Sequence, residues 1–122
     1  MTMNSQDIDQ MKDAVRAPWI AGNYGAIAKT IGAPDAEDFV ARLALEPDVR
    51  VLDIACGTGN VTLPLARRGA TVTGLDMTPH LLEEARARAA SEGLNTLGST
   101  ITTDRPDHKM LTFHILPMAH TA

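Results

Sequence analysis

In Val49-Arg50-Val51-Leu52-Asp53-Ile54-Ala55-Cys56-Gly57-Thr58-Gly59-Asn60, a short run rich in β-branched and aliphatic residues stops at two glycines one residue apart. Branched side chains suit a pleated strand, and glycine supplies backbone angles that other residues resist, so the run predicts a strand that ends in a glycine turn. A helix should follow, with Asn60 as its cap, Val61, Leu63, Leu65 and Ala66 as its apolar surface, and Gly69 as the left-handed residue that ends it. Pro64 then falls just past the first three helical positions, where a missing N–H costs little. Ala70-Thr71-Val72-Thr73-Gly74-Leu75-Asp76 reads as a second strand, and Thr78-Pro79 places a cap and a first-turn proline before another helix. Leu81, Leu82, Ala85 and Ala89 form one face of that helix, Glu84 and Arg88 are spaced to pair, and Gly93 stops it. Residues 49–93 thus alternate strand, helix, strand, helix, which builds a parallel α/β sheet, and the right-handed crossover rule makes the two strands neighbours.

Upstream, Ile8, Met11 and Val15 recur at the spacing of one helical face, and this first helix is expected to give way near Ala17-Pro18. Trp19 to Gly25 mixes two aromatics with two glycines, as a shaped loop or a short broken helix. A second helix is expected from Asp35, after Pro34, with Phe39, Val40 and Leu43 on its buried face and Glu46-Pro47-Asp48 ending it. Past Leu94 the composition shifts: three of the four histidines and six threonines crowd into 28 residues that hold no glutamate. One further strand is expected near 110–116, where Leu111, Phe113 and Ile115 alternate with polar residues. The expected organisation is a helical cap over 1–46, a cofactor-binding half-domain over 47–94 and a divergent tail over 95–122.

The 122 residues fit one small domain, and 11 basic against 15 acidic side chains leave a net charge of −4. No basic field exists to draw in nucleic acid or an anionic membrane, so neither is expected as a partner. With Trp19, Tyr24, Phe39 and Phe113 as the only aromatics, the core must be aliphatic. Cys56 is the sole cysteine, so no internal disulfide can form and a thiolate zinc site would lack its second ligand; a reducing cytoplasm fits. Charges interrupt the first fifteen residues too often for a secretory signal, and no segment approaches the roughly 18 apolar residues that a membrane span requires.

Small residues after a strand let the backbone approach a ligand closely, and the next helix start presents free N–H groups. Asp76, at the tip of the second strand, can accept hydrogen bonds from both hydroxyls of a ribose. Together these features describe an adenosine-containing cofactor. The dinucleotide fingerprint requires a third small residue where this chain has Thr62, and Asp53 would repel a pyrophosphate while suiting a ligand with an ammonium and a sulfonium. S-adenosylmethionine carries both charges, whereas a nicotinamide-dependent reductase fragment suffers from Thr62 and Asp53.

Val51-Leu52-Asp53-Ile54-Ala55-Cys56-Gly57-Thr58-Gly59 is similar to the first motif of class I S-adenosylmethionine-dependent methyltransferases, in the branch with D-x-A-C-G-T-G, and Gly74-Leu75-Asp76-Met77-Thr78-Pro79 resembles the second. Trp19-Ile20-Ala21-Gly22-Asn23-Tyr24 looks like the N-terminal cap of small-molecule methyltransferases, in which Asp is more usual at the place of Asn23. The clear likeness covers 47–94. It implies the N-terminal half of a doubly wound, Rossmann-like parallel sheet. It also implies that Asp53 and the backbone at Ala55, Gly57 and Gly59 hold the methionine portion of the cofactor, Asp76 the ribose, and Met77 the adenine. The methyl is already activated on its sulfonium, so the implied reaction is an in-line displacement onto a small-molecule acceptor, with no catalytic nucleophile or metal.

Plainer readings stand beside these. Asp53 and Asp76 could be strand-end acids that merely cap turns, Cys56 a small buried residue, Trp19 and Tyr24 either cap packing or pocket wall, and His80 an exposed helix start. His108, His114 and His120 recur every six residues, but six residues of strand span about 20 Å, so no local metal site follows. Asp104 lies where the resemblance places an acid against the adenine, although Arg105-Pro106-Asp107 does not match that motif. About seven strands are implied by the resemblance, and the 28 residues after Leu94 supply one or two, so the expectation is a C-terminally truncated or altered chain. The competing functional reading is an inert remnant of the cofactor cradle, and either version exposes a sheet edge through which the chain would self-associate.

Overall fold

The computed structural model describes residues 2–102 and 109–116. The first helix, α1 (Ser5–Ala21), starts from a reciprocal cap in which the Asn4 side chain accepts the Asp7 N–H at 2.9 Å and the Asp7 carboxylate accepts the Asn4 N–H at 3.0 Å. It runs on through Pro18, past the break expected at Ala17-Pro18. Proline's fixed φ is already helical, and its missing N–H costs only one bond in the last turn, which the Gly22 N–H closes onto the Pro18 carbonyl at 2.9 Å. Asn23 then caps the short α2 (Tyr24–Ile27), so of the two expected alternatives for this segment the broken helix is observed.

A π-helical turn, Ala28–Gly32, leads from α2 into α3 (Ala33–Arg42), which begins two residues ahead of the expected Asp35, with Pro34 in its first turn. Val40 and Ala36, four apart, are its buried residues; Phe39 and Leu43, expected on that face, are 48% and 42% exposed. Phe39 lies about 100° round the helix from Val40, and Leu43 sits at the C-cap, past the last helical turn.

Strands β1 (Arg50–Ile54) and β2 (Thr71–Asp76) are parallel neighbours, in register from Arg50 against Thr71 to Ile54 against Leu75. Between them, α4 (Thr62–Arg67) begins later than expected: Val61 holds the cap position, and Asn60 spends its side chain elsewhere. Pro64 is the third residue of this helix, still among the positions whose N–H has no helical partner. Gly69 and Gly93, with φ of +88° and +71°, end α4 and α5 (Pro79–Ser91) as anticipated. Leu81, Leu82, Ala85 and Ala89 of α5 are all buried. Arg88 turns away from the expected pairing with Glu84 and reaches the glycine turn.

The sheet is mixed rather than wholly parallel. Beyond α5, β3 (Asn95–Thr102) and β4 (Lys109–Leu116) form an antiparallel pair, and β4 lies antiparallel beside β2, giving the order β1-β2-β4-β3. Six residues separate β3 from β4, too few for the crossover of about a dozen that a parallel pair requires. The strand expected near 110–116 is β4. β3 is the second of the one or two strands expected after Leu94; Asn95-Thr96-Leu97-Gly98-Ser99-Thr100 has no apolar alternation to place it, and pairing with β4 organises it.

Val40, Leu63, Leu65, Ala66, Val72, Leu82, Ala85, Ala89, Leu94 and Ile115 form an aliphatic core between the sheet and helices α3, α4 and α5. Arg67 pairs with Glu37 of α3 and, at 2.5 Å, with Glu92 beyond α5, fastening the end of α4 to both helices. On the opposite face of the sheet, β1 is open. Leu52 and Ile54 of β1 are 55% and 67% exposed, and beside them an open groove of about 770 Å³ is lined by Arg50, Thr71, Thr73, His114 and Leu116. There the Thr73 hydroxyl meets His114 Nδ1 at 2.8 Å. Asp104, His108 and His120 lie outside the described residues, and among the described residues no group of three or more His, Cys, Asp or Glu side chains could hold a metal. No described helix is long and apolar enough to cross a membrane.

Candidate cofactor site

The carboxyl ends of β1 and β2 meet at one pocket of about 410 Å³, lined by Trp19, Ile54, Ala55, Gly57, Asp76, Met77, Thr78 and Leu81. Three residues in the turn after β1 have positive φ: Ala55 at +62°, Gly57 at +54° and Gly59 at +84°. Left-handed backbone is uncomfortable for an alanine, by roughly 1–2 kcal/mol, and such strain gathers where the backbone has to be aimed. The turn is held by the Cys56 N–H, which extends the ladder to the Leu75 carbonyl at 2.9 Å, and by the Gly59 N–H, which closes on the Cys56 carbonyl at 2.9 Å. A Cβ at Gly59 would strike the buried Leu63 side chain, so this glycine serves close packing.

Asp76 joins the two strand ends. Its Oδ2 accepts the Gly57 N–H at 2.8 Å and its Oδ1 accepts the Thr78 N–H at 2.8 Å, so one nearly buried carboxylate spans the glycine turn and the start of α5. Both of its oxygens are oriented and keep acceptor capacity, since a carboxylate oxygen offers two lone-pair sites. Asp53 sits on the helix-covered side, where the Thr62 hydroxyl donates to its Oδ2 at 2.6 Å. Burial raises the Asp53 pKa above its ordinary value, the Thr62 hydrogen bond opposes that shift, and the Asp76 charge adds to it. Neither carboxylate has an ion-pair partner among the described residues. Two negative charges near an apolar pocket, with no cation to offset them, favour a ligand that brings positive charge. The Cys56 thiol is pushed up to about 12 by burial and by the Asp53 and Asp76 charges, which makes it a neutral packing group.

Of the residues singled out from the sequence, the structure brings Ala55, Gly57, Asp76 and Met77 to the pocket wall. Asp53 and Gly59 stand behind that wall, one bonded to Thr62 and the other packed on Leu63. Trp19 also lines the pocket, its ring 4.7 Å from that of Tyr24, which places it in the wall. Ile54, Thr78 and Leu81 were missed as lining residues, and Thr62 as the partner of Asp53. The legible signal for Thr62 was a hydroxyl standing where a dinucleotide fold requires a small apolar residue.

Residues 51–114 match the family model described as a methyltransferase domain. The chain belongs to this family. An uncharacterized protein of Mycobacterium tuberculosis is 48% identical over 79 residues, covering 65% of this chain and 29% of the relative, and a Mycobacterium bovis protein matches equally. A 23S rRNA (uracil(1939)-C(5))-methyltransferase of Shewanella sediminis is 36% identical over 85 residues, covering 70% of this chain and 19% of that enzyme. The chain thus spans under a third of the length of the curated relatives it matches. The methyltransferase domain match takes in both pocket-forming turns, all of β3 and β4 as far as His114.

Proposed function

We propose that this methyltransferase-domain chain binds S-adenosylmethionine in the pocket at the ends of β1 and β2 and serves methyl transfer to a small molecule in the cytoplasm. The observation that carries the reading is Asp76, whose carboxylate ties the Gly57 N–H to the Thr78 N–H at the pocket floor. The residues fit such a group: a turn with three left-handed residues brings backbone close to the pocket, the carboxylates lack a counter-charge, and Met77 and Trp19 supply apolar wall. The backbone at Ala55 and Gly57 would hold its methionine portion, Asp76 its ribose and Met77 its adenine, with Asp53 and Gly59 supporting that turn from behind the wall. When bound, the cofactor supplies a methyl group already activated on a positive sulfonium. The chain's own part is to bind, orient and keep water from that centre, which requires no nucleophile of its own.

A small-molecule acceptor fits the net charge of −4, since a phosphate backbone would need a basic surface. The rRNA-modifying relative argues for RNA, over a stretch that is 19% of its length. In this reading the chain carries the N-terminal half of a doubly wound sheet, in the D-x-A-C-G-T-G branch. The outer edge of β1, unpaired among the described residues, supports that arrangement and invites self-association through Leu52 and Ile54.

Calorimetric titration with S-adenosylmethionine, S-adenosylhomocysteine and NAD tests the proposal. Saturable binding of the first two, lost in Asp76→Ala, and none of NAD is the expected result; no binding of either adenosyl ligand overturns it. Binding without transfer of labelled methyl to a metabolite mixture would leave an inert cradle, and transfer to RNA would replace the small-molecule acceptor.

A further inference from the structure

The hydrogen bonds of Arg88 lie outside the cofactor pocket. Its Nη1 donates to the Thr58 carbonyl at 2.8 Å, to the Thr58 hydroxyl at 3.3 Å and to Asn60 Oδ1 at 2.8 Å. Asn60, its oxygen thus fixed, donates through Nδ2 to the carbonyl of Ala28 at 2.8 Å. Ala28 opens the π-helical turn, a widened geometry that often marks a functional position. One chain of hydrogen bonds therefore runs from the last turn of α5, through the back of the glycine turn, to the N-terminal segment. Two glycines make this docking sterically open: a Cβ at Gly25 would strike the Glu84 carboxylate, and one at Gly32 would come within 3.1 Å of Asn60 Nδ2. The segment held in this way carries Tyr24, against which Trp19 packs, and Trp19 is the wall of the pocket facing the β1 and β2 turns.

We propose that Arg88 and Asn60 are positioning residues that lock the N-terminal segment to the glycine turn, and so set where Trp19 closes the pocket. The proposal deepens the cofactor reading and rests on it for its effect on ligand affinity, but the lock itself exists in the free chain. Arg88 suits the task because the planar guanidinium fixes the direction of the Nη1 N–H groups toward Thr58 and Asn60, whereas a lysine ammonium offers a point charge on a flexible stem. Asn60 suits it because an amide both accepts and donates, so it relays the constraint from Arg88 to Ala28.

The test uses the full chain as wild type, Arg88→Lys, Arg88→Met, Asn60→Ala and the Arg88→Met/Asn60→Ala double variant, with Arg67→Met as control. Arg67 has its ion pairs with Glu37 and Glu92, away from the pocket. Acrylamide quenching of Trp19, the single tryptophan, is read in the ligand-free chain under conditions where every variant is on its folded baseline. Arg88→Met and Asn60→Ala are each expected to raise the quenching constant about twofold, and the double variant no further, because both break the same chain of contacts. Arg88→Lys should recover part of the difference and Arg67→Met should match wild type. S-adenosylhomocysteine affinity should fall about tenfold in Arg88→Met and Asn60→Ala, since a lock that opens must be closed again on binding. Unchanged quenching in both single variants, additive effects in the double variant, or a loss of global stability with quenching and affinity intact would each overturn the proposal. If wild type binds no adenosyl ligand, the cofactor reading fails while quenching still decides the lock; if Arg88→Met does not fold, Arg88→Lys and Asn60→Ala decide it.

Discussion

Replacing Asp76 by Asn removes the charge and one acceptor oxygen while leaving the shape of the side chain. In the native chain two backbone N–H groups, those of Gly57 and Thr78, each donate to a different oxygen of this carboxylate at 2.8 Å, and the residue is 7% exposed. An asparagine can satisfy one of them with its carbonyl oxygen, but its amide nitrogen meets the other N–H donor to donor. A hydrogen bond to a charged acceptor is worth about 1.5–3 kcal/mol, and an orphaned buried N–H adds its own desolvation penalty. Removing the Asp76 charge also relieves its repulsion of Asp53, which offsets part of the loss. The expected net cost is about 2 kcal/mol, which at about 4 °C per kcal/mol lowers the Tm by about 8 °C. Asp76→Ala, with no acceptor left, should cost about twice as much. Urea unfolding followed by circular dichroism gives the free energies, and an unchanged m-value certifies that the folded states are comparable. S-adenosylhomocysteine at a hundred times its Kd should stabilise wild type by about 2.7 kcal/mol and Asp76→Asn by much less. An Asp76→Asn chain that melts within about 2 °C of wild type would refute the argument that this carboxylate fastens the two turns together.

Three further outcomes follow from the same geometry. Because burial, helped by Asp76 and opposed by Thr62, lifts the Asp53 carboxyl above its ordinary 3.8, the folded chain binds more protons than the unfolded one between that value and the raised pKa. Stability should fall as pH rises through this window, so Asp53→Asn, which keeps the Thr62 contact, should flatten the pH profile and stabilise the ligand-free chain at neutral pH while weakening adenosyl-ligand binding; a less stable variant at pH 7 would refute this. Gly59→Ala puts a Cβ into the fully buried Leu63 at a φ of +84°, and a loss of roughly 2 kcal/mol or more is expected in urea unfolding. Cys56, with its thiol near 12, should react with a disulfide reagent at pH 8 only as fast as the chain unfolds, and rapid labelling of the native protein would count against its burial.

Residues 49–93 were legible because each element there carries its own local reason: β-branched strands, glycines at left-handed ends, and a proline after the Thr78 cap. The same local signals misled where a tertiary partner competed. Asn60 has the chemistry of a helix cap, yet its amide is drawn to Arg88 and Ala28, 28 and 32 residues away, and α4 starts without a side-chain cap. Arg88 and Glu84 stand at pairing distance in sequence, but the guanidinium is drawn to the carbonyl and hydroxyl of Thr58 and to the Asn60 side chain, 28 to 30 residues away.

By itself the sequence determined the parallel β1–β2 unit, the glycine turn and the acid at the end of β2, because those features depend on residue type and short spacing. Only the tertiary structure decided that the sheet continues antiparallel through β4 and β3, that the Asp76 carboxylate closes onto the Gly57 and Thr78 amides, that Thr62 holds Asp53, and that Trp19 walls the pocket. Each of these depends on groups far apart in the chain that meet only after the aliphatic core has formed, so no local pattern records them.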